Sequence, residues 1–329
     1  MTTHTLCIAP MMEWTDRHYR YLVRLMTKHT RLYTEMITSG ALIHGDRERF
    51  LKFDHSEHPI ALQIGGSDAD EMRQSAIWGA KAGYDEININ VGCPSDRVQS
   101  GGFGVYLMRE PDQVAKCVKA MQQEVDIPVT VKCRIGMDHD DSYEFLTQFI
   151  EPVTSAGCNT FIIHARKAWL TGLSPKQNRE VPELDYQRVY QLKQDYPDLN
   201  IIINGGIESV DEVKTHLEHV DGVMIGRQAY KHPYFLLNVD KLIYQDDSDE
   251  VSLQEVVTQY ADYVEANLRD GVHLKSMTKH ILNLYQGVPG AKHWRRHLSE
   301  HAHQDGRGVE LIYEAHEKMK EQSAFKQTA

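Results

Sequence analysis

A thiol, an ammonium and an imidazole each follow or end a short apolar run in this chain. Cys93 lies in Asn90-Val91-Gly92-Cys93-Pro94-Ser95, Lys132 follows Val129-Thr130-Val131, and His164 follows Phe161-Ile162-Ile163. Gly92 and Pro94 predict a fixed turn around the thiol, and because an ordinary thiol is mostly protonated at neutral pH, Cys93 can serve as a general acid. An ammonium at the end of a buried strand is costly without a partner, so Lys132 should face a group that is negative or becomes so. A Schiff-base lysine and a structural ion pair are the other readings of Lys132, and His164 alone could be a satisfied core histidine. Other apolar runs end in Pro10-Met11-Met12, Gln63, Asn90, Asn204-Gly205-Gly206 and Gly226-Arg227. Amide, amine, imidazole and guanidinium groups together suit an anionic, hydrogen-bonding cofactor. The bare backbone of Gly205, Gly206 and Gly226 beside Arg227 suits its phosphate, although such glycines also serve tight turns.

The elements that must bring these ends together are eight apolar, β-branched runs: Leu6–Ala9, Leu32–Thr34, Ile60–Gln63, Ile87–Asn90, Val129–Lys132, Phe161–His164, Ile201–Asn204 and Gly222–Ile225. Amphipathic stretches at Asp68–Ala82, Pro111–Gln123, Ser142–Ala156, Tyr186–Tyr196 and Ser209–Leu217 alternate with them, most opening on a capping residue or a proline. Eight strand-helix alternations predict an α/β fold, a (β/α)8 TIM barrel whose site forms at the carboxyl ends of the strands. A doubly wound sheet is the runner-up, but no G-x-G-x-x-G follows the first strand. After Tyr234 the strand runs stop. The acidic segment Asp246-Asp247-Ser248-Asp249-Glu250 precedes helical patterns at Leu253–Leu268 and Leu274–Tyr285, a Gly287-Val288-Pro289-Gly290 turn and two further helical stretches. The expected domains are a catalytic barrel over residues 1–242 and a small all-helical domain over 250–329.

The 329 residues, 41% hydrophobic and 25% charged, suffice for both. No run approaches the roughly 18 apolar residues of a membrane span, and Met1 to Leu6 lacks a signal-peptide layout, so a soluble cytoplasmic protein is expected. The five cysteines, Cys7, Cys93, Cys117, Cys133 and Cys158, include no C-x-x-C pair. That argues against disulfides and structural zinc, and no metal is expected. The net charge of -11 speaks against nucleic acid; its distribution does not. Gly271 to Ser299 contains no Asp or Glu but carries Lys275, Lys279, Lys292, Arg295, Arg296 and four histidines, and His164 to Arg179 is acid-free with Arg166, Lys167, Lys176 and Arg179. Local basic patches on an acidic chain suit a partner that touches one face; solvated loops are the other reading.

Ala9-Pro10-Met11, the Asn90 to Pro94 turn continuing to Gly101-Gly102-Phe103-Gly104, Val131-Lys132-Cys133-Arg134, Asn204-Gly205-Gly206 and Gly226-Arg227 together resemble the tRNA-dihydrouridine synthases, over the whole chain. Lys167-Ala168-Trp169-Leu170 and Ser174-Pro175-Lys176-Gln177-Asn178-Arg179 resemble the DusA subfamily. The resemblance implies an FMN-dependent oxidoreductase that takes electrons from NADPH and reduces uridines 20 and 20a of the tRNA D-loop. Carried over by position, Pro10, Met11, Met12, Gln63, Lys132 and His164 would hold the flavin ring and ribityl chain. Asn204, Gly205, Gly206, Gly226 and Arg227 would hold its phosphate. Asn90 would face the uracil, which would receive hydride at C6 and a proton at C5 from Cys93 on the opposite side. The base must be turned out of the folded RNA to reach a barrel mouth, which calls for contacts to surrounding phosphates; Lys176, Arg179, Lys292, Arg295 and Arg296 are the candidates. The rival readings are a flavin barrel acting on a free pyrimidine such as dihydroorotate, a lysine-dependent aldolase and a non-catalytic RNA-binding protein. With no obvious exposed apolar stripe, a monomer with no obligate protein partner is expected.

Overall fold

All eight apolar runs become parallel strands in the computed structural model, which describes residues 3–248 and 251–327, the side chains of Arg97 and 321–327 excepted. The strands are β1 (Leu6–Ile8), β2 (Leu32–Tyr33), β3 (Ile37–Thr38), β4 (Ile60–Gly65), β5 (Glu86–Val91), β6 (Val129–Arg134), β7 (Thr160–His164), β8 (Asn200–Asn204) and β9 (Gly222–Ile225). Their order is β1-β9-β8-β7-β6-β5-β4-β2. Ile8 N donates to Arg31 O at 2.9 Å and Arg31 N to Leu6 O at 3.0 Å, which brings β1 against the start of β2 and completes the circuit of a TIM barrel. The ninth strand, absent from the sequence reading, is a continuation. β2 pairs with Ile60 and Ala61, and β3 pairs with Ile64 and Gly65 of the same neighbour. Between them Gln63 N donates to Thr34 Oγ1 at 3.0 Å, so a side-chain oxygen interrupts the backbone ladder.

The helices start where local chemistry dictates. Asp68 accepts from Asp70 N and Glu71 N ahead of Ala69–Ala82, Ser142 accepts from Phe145 N ahead of Tyr143–Ser155, and Ser209 forms a capping box with Glu212 ahead of Val210–Leu217. Pro111 occupies the first turn of Pro111–Gln122. Strand periodicity then sorts the side chains. On β5 the apolar Ile87, Ile89 and Val91 alternate with Glu86, Asn88 and Asn90. Ile87 lies against Gly79 of the Ala69–Ala82 helix, where an added Cβ would come within 2.6 Å of it. The polar set therefore faces the barrel interior. Cys7, Ala9, Tyr33, Ala61, Ile162, Ile202 and Met224 fill that interior as one buried cluster.

The chain forms two compact units: residues through Glu13 with Thr30–Gly226, and Trp14–His29 with the chain from Arg227 onward. The second unit also takes in an amino-terminal helix, Arg17–Arg24. Asp16 caps that helix and pairs with Lys279 (2.9 Å) and His280 (2.8 Å), Trp14 stacks on Tyr230 at 4.4 Å, and Thr27 donates to Asp240 at 2.5 Å. Such contacts have no local sequence signal. The helices Leu253–Arg269, Ala291–His301 and Glu310–Gln327 follow the expected pattern. The Leu274–Tyr285 stretch does not, because its helix stops at Thr278. There the carbonyls of Met277 and Ile281 accept from Tyr260 OH (3.1 Å) and Trp294 Nε1 (2.7 Å), and the chain continues in tighter turns. Asp249 and Glu250 of the acidic segment lie outside the described residues. Among the described residues, no helix is long and apolar enough to cross a membrane.

Candidate active site

Amide side chains dominate the floor of the barrel mouth. Asn90 Oδ1 accepts the backbone N–H groups of Gly92 (3.1 Å) and Cys93 (3.0 Å), which holds the thiol turn onto the end of β5. With its oxygen committed, Asn90 Nδ2 donates to Gln63 Oε1 at 2.9 Å, and Gln63 Nε2 donates to Asn88 Oδ1 at 2.8 Å. Lys132 Nζ donates across the interior to Asn204 Oδ1 at 3.1 Å, past the intervening β7, while Asn204 Nδ2 donates to Met224 O. No carboxylate lies within ion-pair reach of Lys132 among the described residues, so the structural ion-pair reading fails. Burial and the Arg134 guanidinium instead push the Lys132 ammonium down to about 8. Burial, helped by Arg134 and Lys132, drives His164 well below its ordinary range, so the ring is neutral at physiological pH.

Arg134 is the principal residue that the sequence reading left unassigned. It is buried, donates through Nε to Gly92 O at 2.9 Å, and donates through a terminal nitrogen to the carbonyls of Lys167 and Asn178 at 3.1 Å and Arg166 at 3.4 Å. One guanidinium thereby ties the Cys93 turn to the loop after β7. Asn178 braces that loop through Trp169 N, Trp169 O and Leu173 O. The signal was available in the alternation of β6, because Thr130, Lys132 and Arg134 share the inward face.

Cys93 stands apart from the other four cysteines. They are buried, and burial pushes Cys117, Cys133 and Cys158 up to about 12 and Cys7 higher still. Cys93 is partly exposed, with Sγ 3.4 Å from Ser95 Oγ. After β8, Gly205 and Gly206 adopt φ of +122° and +71°, and a Cβ on Gly205 would come within 2.7 Å of the His164 ring. Both glycines are thus required by conformation; Gly205 is buried, with its carbonyl accepting from Tyr186 OH at 2.7 Å, and Gly206 is exposed beside it. Gly226 adjoins the end of β1, with its Cβ position 3.5 Å from Ala9 and 3.7 Å from Met11 Sδ. Pro10 and Met11 are partly exposed and Met12 is 60% exposed. Arg227 opens the helix Arg227–Lys231 and belongs to the second unit.

The expected RNA contacts divide between the units. Lys176 and Arg179 are exposed on the loop after β7. In the second unit Lys292 and Arg296 are exposed, Arg296 pairing with Glu300 at 2.8 Å, while Arg295 is half-buried and bonded to Gln286. From the same acid-free stretch, partly exposed Lys279 and buried His280 both pair with Asp16.

Among known proteins, the dihydrouridine synthase family pattern matches residues 7–324. A tRNA-dihydrouridine(20/20a) synthase of Shewanella oneidensis is 58% identical over 308 residues, covering 94% of this chain and 92% of that protein. The proteins of the same description from Vibrio cholerae and Escherichia coli K12 are 56% identical over 316 residues and 54% identical over 309, covering 95% and 94% of this chain and 96% and 89% of theirs. A partly exposed thiol beside an inward-facing set of amides, lysine and histidine, on a parallel barrel that the family pattern spans almost end to end, places this chain in the dihydrouridine synthase family.

Proposed function

We propose that the protein is a tRNA-dihydrouridine synthase that reduces uridines 20 and 20a in the D-loop, with FMN as bound cofactor and NADPH as electron donor. The observation that carries the reading is the placement of Cys93, the one thiol left partly exposed, on a turn clamped by Asn90 and Arg134 at the barrel mouth. The residues fit a flavin mononucleotide. The side-chain-free turn at Gly205 and Gly206 beside Asn204 would receive its phosphate, with Gly226 and Arg227. Lys132 would stand against negative charge, neutral His164 would offer a hydrogen bond without competing charge, and Pro10, Met11, Met12 and Gln63 would line the ring. When bound, the flavin would supply the hydride.

The chain's own groups supply the rest. Asn90 carries a second amide hydrogen with which to orient the uracil. Cys93 delivers the proton to C5 and regains it from solvent. Arg134 keeps the turn that carries the thiol from moving relative to β6. Lys176, Arg179, Lys292, Arg295 and Arg296 would hold phosphates of an RNA whose target base is turned outward. The barrel over residues 1–242 would do the chemistry and the helical segment over 250–329 would bind RNA, in a cytoplasmic monomer.

Absorption of the purified holoprotein under anaerobic conditions tests this reading. The yellow colour should bleach with NADPH and return on addition of unmodified tRNA, but not with uracil or orotate. Return with orotate alone would favour a free-pyrimidine oxidoreductase, and a colourless protein that cannot be reconstituted with FMN would overturn the flavin assignment.

A further inference from the structure

The amide chain that ends at Cys93 does not begin at the barrel mouth. Asn88 Nδ2 donates to Thr130 Oγ1 at 2.8 Å, and Thr130 Oγ1 donates to Glu86 Oε1 at 2.6 Å. Glu86 is wholly buried. It also accepts from Tyr33 OH at 2.9 Å, meets His4 Nε2 at 2.6 Å and lies 3.4 Å from an Arg31 nitrogen. Burial opposes its ionisation, but the His4 hydrogen bond and charge, the Arg31 guanidinium and the Thr130 hydroxyl outweigh that and hold its carboxyl below the ordinary range. Each direction in the series follows from the one before. An ionised carboxylate only accepts, so Thr130 must donate to it. The Thr130 oxygen then presents lone pairs, so Asn88 must turn its nitrogen toward Thr130 and its oxygen toward Gln63. Gln63 must then point its nitrogen at Asn88 and its oxygen at Asn90, which leaves the Asn90 oxygen for the two backbone N–H groups of the thiol turn.

We propose that Glu86, acting through Thr130 and Asn88, is a positioning device that locks the flip states of Gln63 and Asn90, so that both amides present N–H hydrogens rather than oxygens to whatever occupies the barrel mouth. Each amide nitrogen carries two hydrogens and uses one in the series; the second serves an acceptor atom of the ligand, a carbonyl oxygen or ring nitrogen. The site thereby selects acceptor-bearing rings, and the thiol turn is registered to the barrel floor. The series crosses β4, β5 and β6, so it also fixes their inward faces to one another. Its consequence for turnover rests on the proposed function, but its consequence for amide orientation does not.

The test compares Thr130→Val, which removes the hydroxyl, with Thr130→Ser, which keeps it. Two readouts are taken on the full-length protein: the side-chain amide NMR signals of Asn88, Gln63 and Asn90, and the rate at which NADPH-reduced holoprotein is reoxidised by unmodified tRNA. Thr130→Val should shift all three amide signals, including Asn90 three links away, and slow reoxidation by about tenfold, while Thr130→Ser stays near wild type on both. Should Thr130→Val fail to fold, Thr130→Ala makes the same comparison. Signals of Gln63 and Asn90 that stay in place when the hydroxyl is gone, or a serine variant as impaired as the valine one, would overturn the relay. Amide signals that respond in a protein whose reduced wild type ignores tRNA would support the relay and defeat the functional reading instead.

Discussion

The roles proposed for Cys93 and Lys132 are separable, and single substitutions should separate them. Cys93→Ala removes the proposed acid without touching the clamps from Asn90 and Arg134, which reach the turn through its backbone. Reoxidation of the reduced holoprotein by tRNA should fall by roughly 10²–10⁴-fold, the usual worth of a general acid, while stopped-flow bleaching by NADPH is unchanged. Equal loss in both half-reactions would remove Cys93 from the proton-donor role. Lys132 acts through charge. Its ammonium is pushed from the ordinary 10.5 to about 8, so below about pH 8 folded and unfolded chains both carry the proton, and between pH 8 and 10.5 only the unfolded chain does. The unfolded state then binds more protons, and stability from this group rises with pH across that window. Ligand-free Lys132→Met should therefore be more stable than wild type at pH 7, with the gap closing above about pH 8 in denaturant titrations. The proposed function runs the opposite way, because the charge that Lys132 would offer an anion is full below about pH 8 and is lost above it. A stability gap that does not vary with pH would mean that the lysine is solvated.

At the level of elements, the site depends on three loops held to strand ends, and Arg134 holds two of them. Replacing it with Met leaves four carbonyls without their buried donor, including those of Gly92 and Asn178. The expected cost is about 3 kcal/mol or more, read as a lower unfolding midpoint, together with faster alkylation of Cys93 as its turn loosens. An alkylation rate that matches wild type would show that Asn90 alone fixes the turn. Gly205→Ala should act on the third loop. With φ at +122° and His164 only 2.7 Å from the new Cβ, the loop must shift, and FMN retention should drop in gel filtration even if the barrel survives. These elements were mostly legible in the sequence. The eight strands announced themselves as apolar runs because helices cover their outer faces, and the helix starts were marked by Asp68, Pro111, Ser142 and Ser209. What escaped was the inward half of the alternation: Glu86 and Asn88 precede Asn90 on one face of β5, yet a polar residue inside an apolar run reads as noise until its cross-strand partners are known. The split of β2 from β3 escaped for a similar reason, since it depends on one Thr34 hydroxyl meeting one backbone N–H.

Over the whole molecule, charge is the property that composition most nearly concealed, for a net -11 would disfavour RNA if charge were evenly spread. The acid-free stretch from Gly271 to Ser299 corrects that impression, and the structure divides its basic residues into two kinds. Lys279, partly exposed, and His280, buried, are paired with Asp16, whereas Lys292 and Arg296 lie exposed on the Ala291–His301 helix. Sequence could not make that division, because Asp16 lies more than 250 residues away along the chain. The two kinds should respond differently to charge reversal. Lys292→Glu and Arg296→Glu should weaken tRNA binding, measured by filter retention or fluorescence anisotropy across a salt series, and each phosphate left without its cation should lower the slope of log affinity against log salt by about one. Their flavin spectra and unfolding midpoints should match wild type, since an exposed pair such as Arg296–Glu300 contributes little to stability. Lys279→Glu should instead set a carboxylate against Asp16 and lower the unfolding midpoint, with any loss of tRNA binding following the loss of fold. If Lys292→Glu and Arg296→Glu leave both affinity and salt slope unchanged, the helix is an ordinary solvated face and the RNA must be held elsewhere, with the exposed Lys176 and Arg179 next in line.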